Sequence, residues 1–476
     1  MHLLLFTPEA LLSLFLVALL VIMLLKKETI LKVLYPFMVL AGTTLLVGSL
    51  ISTDRTGNLF YGTYRIDLLS QGFKVILSLA YFITVMLSQR TISIPKSKAP
   101  EYFFFLTTST LGMMMLTSAA NILTLYVSLE LSAYSLYLLS ALKQDRRSAE
   151  ASVKYLIFGA AASGVFLWGF SLIAGMAGTF SFAGITEAAS TFGAQPAFLL
   201  GVSFVIFAFL FKLSSFPTHF WAPDVYENAS TPAVTFIATA SKATAVAILI
   251  RVLMATGIAH PLVTALGIIA FISMTLGNCA ALVQQDVKRL LAYSSIAQAG
   301  YILIGLLSNS ADGFASSFFY ALAYILMNSG AFLVTLMVAN SINNDNPKLF
   351  HFDGLAERSP FLALILLMSL LSLAGIPPLI GFTGKWILFS AAMNQGHWFL
   401  VLWGVLNSVV SLFYYLTLVK HAYLEKPSVH TPLRISWPIK MLGLTLFCSL
   451  VLLGIFPNGV ITFTQKAIAS ASFKAF

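Results

Sequence analysis

Long apolar runs alternate along the chain with short breaks rich in charge, Gly, Pro or Asn. The runs, such as 101–120 and 265–283, are continuous rather than alternating. They therefore read as helices long enough to cross a bilayer, about 20 residues each, and not as strands of a barrel. The breaks predict fourteen spans: 3–25, 30–51, 66–88, 101–119, 121–142, 151–178, 195–220, 231–256, 260–284, 288–308, 314–340, 358–394, 397–420 and 436–460. Spans seven and twelve are irregular. The first ends in Phe211-Lys212-Leu213-Ser214-Ser215-Phe216-Pro217, and the second contains Gly375-Ile376-Pro377-Pro378 followed by Gly381-Phe382-Thr383-Gly384-Lys385. Proline removes a helical hydrogen bond, and inside a membrane such a break survives only where protein or a wet cavity satisfies the freed groups.

Composition agrees with this reading. Hydrophobic residues make up 59% of the 476 and charged residues 9%, against about 25% charge in a soluble domain. That balance excludes an ordinary soluble protein, a disordered chain and a collagen-like one. The net charge of +10 is then a topology signal rather than a sign of nucleic-acid binding. With the spans alternating, eighteen Lys and Arg fall on one side, among them Lys26, Lys27, Lys32, Arg90, Lys96, Lys98, Lys154, Arg434 and Lys440. Five fall on the other, namely Arg55, Arg65, Arg251, Lys466 and Lys474. The positive-inside bias makes the richer side cytoplasmic and places both termini, including Phe476, on the opposite face. The N-terminal run lacks a basic leader and is expected to be the first span, not a cleaved signal.

A weak internal repeat is visible. Ser163-Gly164-Val165-Phe166-Leu167 in span six resembles Ser329-Gly330-Ala331-Phe332-Leu333 in span eleven, and the broken spans seven and twelve carry Lys212 and Lys385. Both pairings step by five helices, and an odd step inverts the second copy, the plan of many transporters. The expected fold class is an all-α polytopic membrane protein of about fourteen helices with two inverted five-helix repeats and broken helices 7 and 12. The expected domains are 1–100 (three helices), 101–256 (first repeat), 257–425 (second repeat) and 426–476 (last helix).

The candidate chemistry lies in ionisable groups at membrane depth, each costing about 2.5–3.5 kcal/mol on insertion scales. Glu130 is the one acid read well inside a span, with Lys212 in span seven, Lys242 in span eight and Lys385 in span twelve. His219 follows Lys212 by seven residues, the same face if the helix continues. The competing reading is a set of buried ion pairs that lock helices together. One Glu and three Lys in four spans, two of them broken, favour a functional set over a purely structural one. Lys74 is expected to snorkel to the surface. Glu150 and Lys154 form an i, i+4 pair at the start of span six, either a helix-end support or the mouth of a polar path. Tyr414 and Tyr415 are possible relays. The cysteines Cys279 and Cys448 read as small core residues. No nucleotide-loop or metal-binding motif occurs, so no cofactor or metal is expected in this chain.

Three stretches carry a family resemblance. Phe211 through Glu227, with Ser230-Thr231-Pro232 and Lys242 after it, resembles the signature of the antiporter-like membrane subunits of respiratory complex I, the NADH-quinone oxidoreductase. Asp286-Val287-Lys288-Arg289-Leu290-Leu291-Ala292-Tyr293-Ser294-Ser295-Ile296 is similar too, as is Gly375 through Trp386. The Pro223-Asp224-Val225-Tyr226-Glu227 run and the length are closest to the N-type subunits of bacteria. The resemblance implies a proton-translocating subunit of the membrane arm in the bacterial inner membrane. Its partners would be the neighbouring antiporter-like subunit, the small membrane subunits and the lipid bilayer, with no nucleic acid. NAD(H), FMN, iron–sulfur clusters and quinone would belong to other subunits. It also implies proton-transfer roles for Glu130, Lys212, Lys242 and Lys385, with His219 as a connecting relay. The alternative is a subunit of a multi-subunit cation/proton antiporter. In either case the residues suggest a division of labour. The second repeat offers no acid near Ser295 and no base between Ser408 and Tyr415, so Lys385 reads as a terminal relay and the first repeat as the gate.

Overall fold

The computed structural model describes residues 5–25, 28–89, 93–143, 145–257, 259–427, 432–433 and 435–471, with the backbone alone for 28–32. Lys26, Lys27, Arg90, Arg434 and Lys474, used in the charge tally, and Phe476, used to place the C-terminus, lie outside the described residues, as does the side chain of Lys32.

The first three spans are α1 (Thr7–Leu25), α2 (Glu28–Ile51) and α3 (Leu68–Ser88), and a two-stranded hairpin, β1 (Gly57–Leu59) with β2 (Tyr64–Ile66), separates the last two. Asp67 caps α3, its side chain accepting the Ser70 N–H. Then come α4 (Ala99–Ser118), α5 (Ile122–Ala141), α6 (Arg146–Ala177), a short α7 (Phe182–Phe192) and α8 (Pro196–Leu213). The chain continues through α9 (Trp221–Asn228), α10 (Thr231–Phe236), a π turn at Ile237–Ser241 and α11 (Lys242–Thr256). The second half is α12 (His260–Leu282), α13 (Val287–Leu307), α14 (Ala311–Ser341), a one-turn α15 (Leu355–Arg358), α16 (Pro360–Ala374), α17 (Ile380–Asn394), α18 (Trp398–Tyr423), α19 (Trp437–Ile455) and α20 (Asn458–Ser470).

Twelve of these helices are long and apolar enough to cross a membrane, α10 and α11 counting as one through the π turn. Adding α4 and the split pair α16–α17 gives the fourteen expected spans. The hairpin, α7 and α20 were not foreseen. They are short and more polar, and hydrophobic run length does not register them. Cys279 is exposed and not a core residue.

Both expected breaks are present and share one backbone solution. α8 ends at Ser214 (φ 59°), and α16 ends at Gly375 (φ 91°), both left-handed. In each, the first two N–H groups past the helix turn back onto its last carbonyls. Ser214 N bonds Phe211 O and Ser215 N bonds Leu210 O; Gly375 N bonds Ser372 O and Ile376 N bonds Leu371 O. The free carbonyls of a helix end are thus satisfied inside the bundle.

A second match, in helix contacts, is in line with the repeat. Gly112 on α4 lets α5 approach so closely that a Cβ there would lie 2.7 Å from Ser132 N and 3.1 Å from Ser128 O. Gly277 on α12 does the same for α13, at 2.6 Å from Ala297 N and 2.8 Å from Tyr293 O. Matching Gly112 with Gly277 and Ser132 with Ala297 puts Ser295 at the position of Glu130.

Candidate functional site

α8, α11 and α17 each bury one lysine along the middle of the bundle: Lys212 is 5% exposed, Lys242 1% and Lys385 4%. Each ammonium is held by neutral groups. Lys212 Nζ donates to Ser132 Oγ at 2.8 Å, and Ser109 Oγ in turn donates to Ser132 O at 3.1 Å. Lys242 Nζ donates to both the carbonyl and the hydroxyl of Ser295, each at 2.8 Å. Lys385 Nζ reaches back across the break to Leu373 O (3.1 Å) and Ala374 O (3.0 Å), donates to Ser408 Oγ (3.1 Å) and sits 4.4 Å from the centre of the Tyr301 ring. Lys385 therefore satisfies carbonyls at the end of α16 that the broken helix leaves open.

The breaks match at Ser214 and Gly375, so Lys212 and Lys385 are not equivalent positions as the sequence pairing assumed. Lys212 lies two residues before its break, Lys385 ten residues after, and the counterpart of Lys212 is Leu373.

Glu130 is half-buried, and its Oε1 has no hydrogen-bond partner among the described residues. It is the acid whose charge acts on Lys212, yet no Lys212–Glu130 ion pair forms among the described residues. Glu130 and Lys212 are thus neighbours in charge without being in direct contact. His219 is 5% exposed and lies between α8 and α9, its ring against Phe216 and Phe220. Because α8 stops at Leu213, His219 does not share a helix face with Lys212. Beside Lys212 a cavity of about 20 Å³ is lined by Tyr137, Tyr155 and Gly159, enough for one water.

Between Lys242 and Lys385 the structure shows a polar chain that sequence reasoning largely missed. Ser294, next to Ser295, shares a hydrogen bond with the Tyr415 hydroxyl. Gln298 Nε2 donates to Tyr415 OH (3.4 Å) and to Leu373 O (3.0 Å), the carbonyl that Lys385 also holds. Tyr320 OH donates to Gln298 Oε1. Of these only Tyr415 was singled out beforehand; an amide such as Gln298 inside an apolar helix was the available signal. Asn278 Nδ2 donates to Asn407 Oδ1 (3.0 Å), and Tyr414 OH donates to Asn278 Oδ1 (3.1 Å), which braces α12 against α18.

At one end of the bundle Glu150 and Lys154 pair at 3.1 Å, as expected, and the pair extends further. Lys154 Nζ also meets Asp224 Oδ2 (3.0 Å), Asp224 Oδ1 meets Arg289 (3.2 Å), and Arg289 meets Glu227 Oε2 (2.8 Å). A cavity of about 190 Å³ opens among Arg147, Glu150, Lys154, Asp224 and Asn228. Beneath it Lys288, fully buried, donates to Ala229 O at 2.9 Å and pairs with Asp345 at 3.4 Å.

At the other end one expectation fails and two further buried charges come to light. Lys74 does not snorkel: it is fully buried and pairs with Glu9 at 2.6 Å. Glu9, in the first turn of α1, is a second buried acid, 0% exposed where Glu130 is half-buried. Arg251, counted with one face in the charge tally, lies inside α11, 0% exposed, bonded to Asp67 Oδ1 and Thr117 O, both at 2.7 Å. In each case the neighbour that stabilises the buried charge comes from a distant part of the chain.

Broken helices matched across two repeats, with a file of buried lysines between them, define an antiporter-like membrane subunit. The chain belongs to the NADH:quinone oxidoreductase/Mrp antiporter transmembrane family, whose model matches residues 119–411, and within it groups with the subunit N proteins. It is 44% identical to NADH-quinone oxidoreductase subunit N 2 of Syntrophobacter fumaroxidans over 425 residues, 89% of this chain and 90% of that one. It is 38% identical to subunit N of Moorella thermoacetica over 431 residues, 90% of each. Among solved structures, a chain of respiratory complex I from Thermus thermophilus superposes with a TM-score of 0.82 at 32% identity, covering 96% of this chain and 98% of that one. A chain of the Mrp complex from Dietzia superposes at 0.83 with 18% identity, covering 98% of this chain and 97% of that one, a likeness of fold alone.

Proposed function

We propose that this chain is a proton-translocating subunit in the membrane arm of an NADH:quinone oxidoreductase, carrying no redox chemistry of its own. The observation that supports it most is the set of buried polar groups between Lys242 and Lys385: Ser295 holds Lys242, and the adjacent Ser294 starts a hydrogen-bonded series through Tyr415 and Gln298 to the Leu373 carbonyl that Lys385 also holds. A buried lysine held only by neutral groups can exchange its proton, and hydroxyls with water pass that proton on. Gln298 and the Leu373 carbonyl orient the chain and carry no proton themselves.

In this reading protons enter near Glu150, Lys154 and Asp224, reach Lys212 through water and pass to Lys242, with His219 beside the break as a connecting relay. Glu130 controls the proton on Lys212 by moving toward or away from it. Lys385, with no carboxylate partner among the described residues, hands protons to the far side. Moving one charge against 100 mV costs about 2.3 kcal/mol, a scale that a shift of about two units in proton affinity meets. Residues 101–256 and 257–425 are the two inverted repeats, supported by the matched glycines and breaks. Domains 1–100 and 426–476 flank them.

The chain sits in the bacterial inner membrane with Lys96 and Lys98 cytoplasmic and both termini periplasmic. Its partners are the adjacent antiporter-like subunit and the small membrane subunits. NAD(H), FMN, iron–sulfur clusters and quinone act elsewhere in the complex. Subunit N relatives at 44% identity favour this over a cation/proton antiporter, for which the fold alone speaks.

The test is pumping by whole complexes in inside-out vesicles. Glu130→Gln and Lys212→Ala should each lower protons moved per electron, and Lys212→Arg should not restore them because Arg does not release its proton. Lys385→Glu should keep part of the pumping and Lys385→Leu none. Parental ratios in Lys212→Ala vesicles would overturn the proposal.

A further inference from the structure

Asp67, Gln71, Lys74 and Ser78 recur on α3 at steps of four, three and four, so they share one helix face, and all four are buried. Polar residues so placed on a membrane helix need partners. Lys74 Nζ lies 2.6 Å from Glu9 Oε1, both side chains fully buried, and Tyr64 OH from the hairpin donates to the same oxygen. Glu9 Oε2 is also buried and has no hydrogen-bond partner among the described residues. One turn or two away, Asp67 holds Arg251 of α11 at 2.7 Å and Arg65 at 3.5 Å.

Stability does not account for Glu9 and Lys74. Replacing a buried ion pair with apolar residues is often neutral or stabilising, and an orphaned carboxylate oxygen adds to the cost of burial. Position is more informative. α3 packs on α10, on the π turn and on α11, the segment that carries Lys242. Arg251 lies nine residues further along α11, about 13 Å by helical rise, at the end of the bundle opposite Lys154 and Asp224.

We propose that Glu9, with Tyr64 and Lys74 around it, is a further protonation site, a release station at the face of the bundle that holds the hairpin. It rests on the reading of this chain as a proton translocator. A proton handed on from the file of buried lysines, past Lys385, travels through water and forms an O–H bond at Glu9 Oε2, leaving the donor lysine a neutral amine and Glu9 a neutral acid. The Lys74 amine group beside Glu9 Oε1 then favours return to the carboxylate. The O–H bond breaks to water, the proton leaves at the outer face and Glu9 returns to its starting state. The Tyr64 hydroxyl orients the other oxygen throughout. The charged groups around the site are Arg55, which donates to Thr7 on α1, Arg65, Asp67 and Arg251; Asp312 and Lys466 on the neighbouring α14 and α20 are exposed.

The experiment measures protons moved per electron by whole complexes in inside-out vesicles across a neutral-to-alkaline pH series, with Lys212→Ala as the reference. Glu9→Gln should lose pumping and flatten its pH profile while quinone reduction continues, and Glu9→Asp should restore both. The charge-free pair Glu9→Gln with Lys74→Met should assemble and still lose pumping. A merely structural ion pair would instead leave that double variant with the parental ratio and profile, which would overturn the proposal. Failure of both variants to assemble would overturn it too, by making the pair structural. Lost pumping in Lys212→Ala with parental pumping in the Glu9 variants refutes the station alone. Parental pumping in both refutes the translocator reading as well.

Discussion

Replacing Gln298 with Leu, which keeps most of the volume, tests the connection between the two repeats. Of the amide's three partners, Leu373 O keeps Lys385 and Tyr415 OH keeps Ser294. Only the Tyr320 hydroxyl loses its acceptor. Leaving one buried donor unpaired costs about 1–3 kcal/mol, so the complex should assemble with a modest loss of thermal stability. The functional loss should be larger than that suggests. Gln298 holds Tyr415 beside the Leu373 carbonyl and Lys385, and relaxing that arrangement by the same free energy slows proton transfer roughly 5- to 150-fold. Quinone reduction followed by absorbance, with acidification of inside-out vesicles read by a pH-sensitive dye, should show fewer protons per electron at near-normal assembly. Gln298→His, which can both donate and accept, should recover much of the ratio. Parental proton-to-electron ratios in fully assembled Gln298→Leu complexes would refute the role given to this chain of groups.

The close helix approach gives a matched pair of tests. Gly112→Ala should push α5 off α4 and displace Ser132 from Lys212, and Gly277→Ala should separate α13 from α12. Overpacking of this kind costs about 1–3 kcal/mol, and similar losses of thermal stability in the two are expected from equivalent positions. Arg251→Gln should destabilise strongly, by about 3–5 kcal/mol, because Asp67 loses its closest buried cation; the amount of assembled complex on native gels reads it. Single cysteines placed in a Cys279- and Cys448-free background should react with an impermeant maleimide from the cytoplasm at Lys96 and from the other face at Lys466.

Run length and breaks in the sequence were enough to define the helical class, the fourteen spans, both broken helices and the buried lysines. The reason is physical: burial in lipid demands about 20 apolar residues and forbids unsatisfied backbone, so the constraint acts within each segment. Glu130, Lys212, Lys242 and Lys385 were legible for the same reason, as charges where a charge is costly. What those charges touch was decided only by the tertiary structure. Ser132 on Lys212, Ser295 on Lys242, the Leu373 carbonyl on Lys385 and Glu9 on Lys74 come from other helices, and hydroxyls and carbonyls leave little trace in hydropathy. The same holds for register. A weak repeat could align Lys212 with Lys385, but only the backbone turns at Ser214 and Gly375 show that the two lysines stand on opposite sides of their breaks. Segment-level burial is written locally in the chain; the partner of each buried polar group is set by helix packing, which brings together residues as far apart as Asp67 and Arg251.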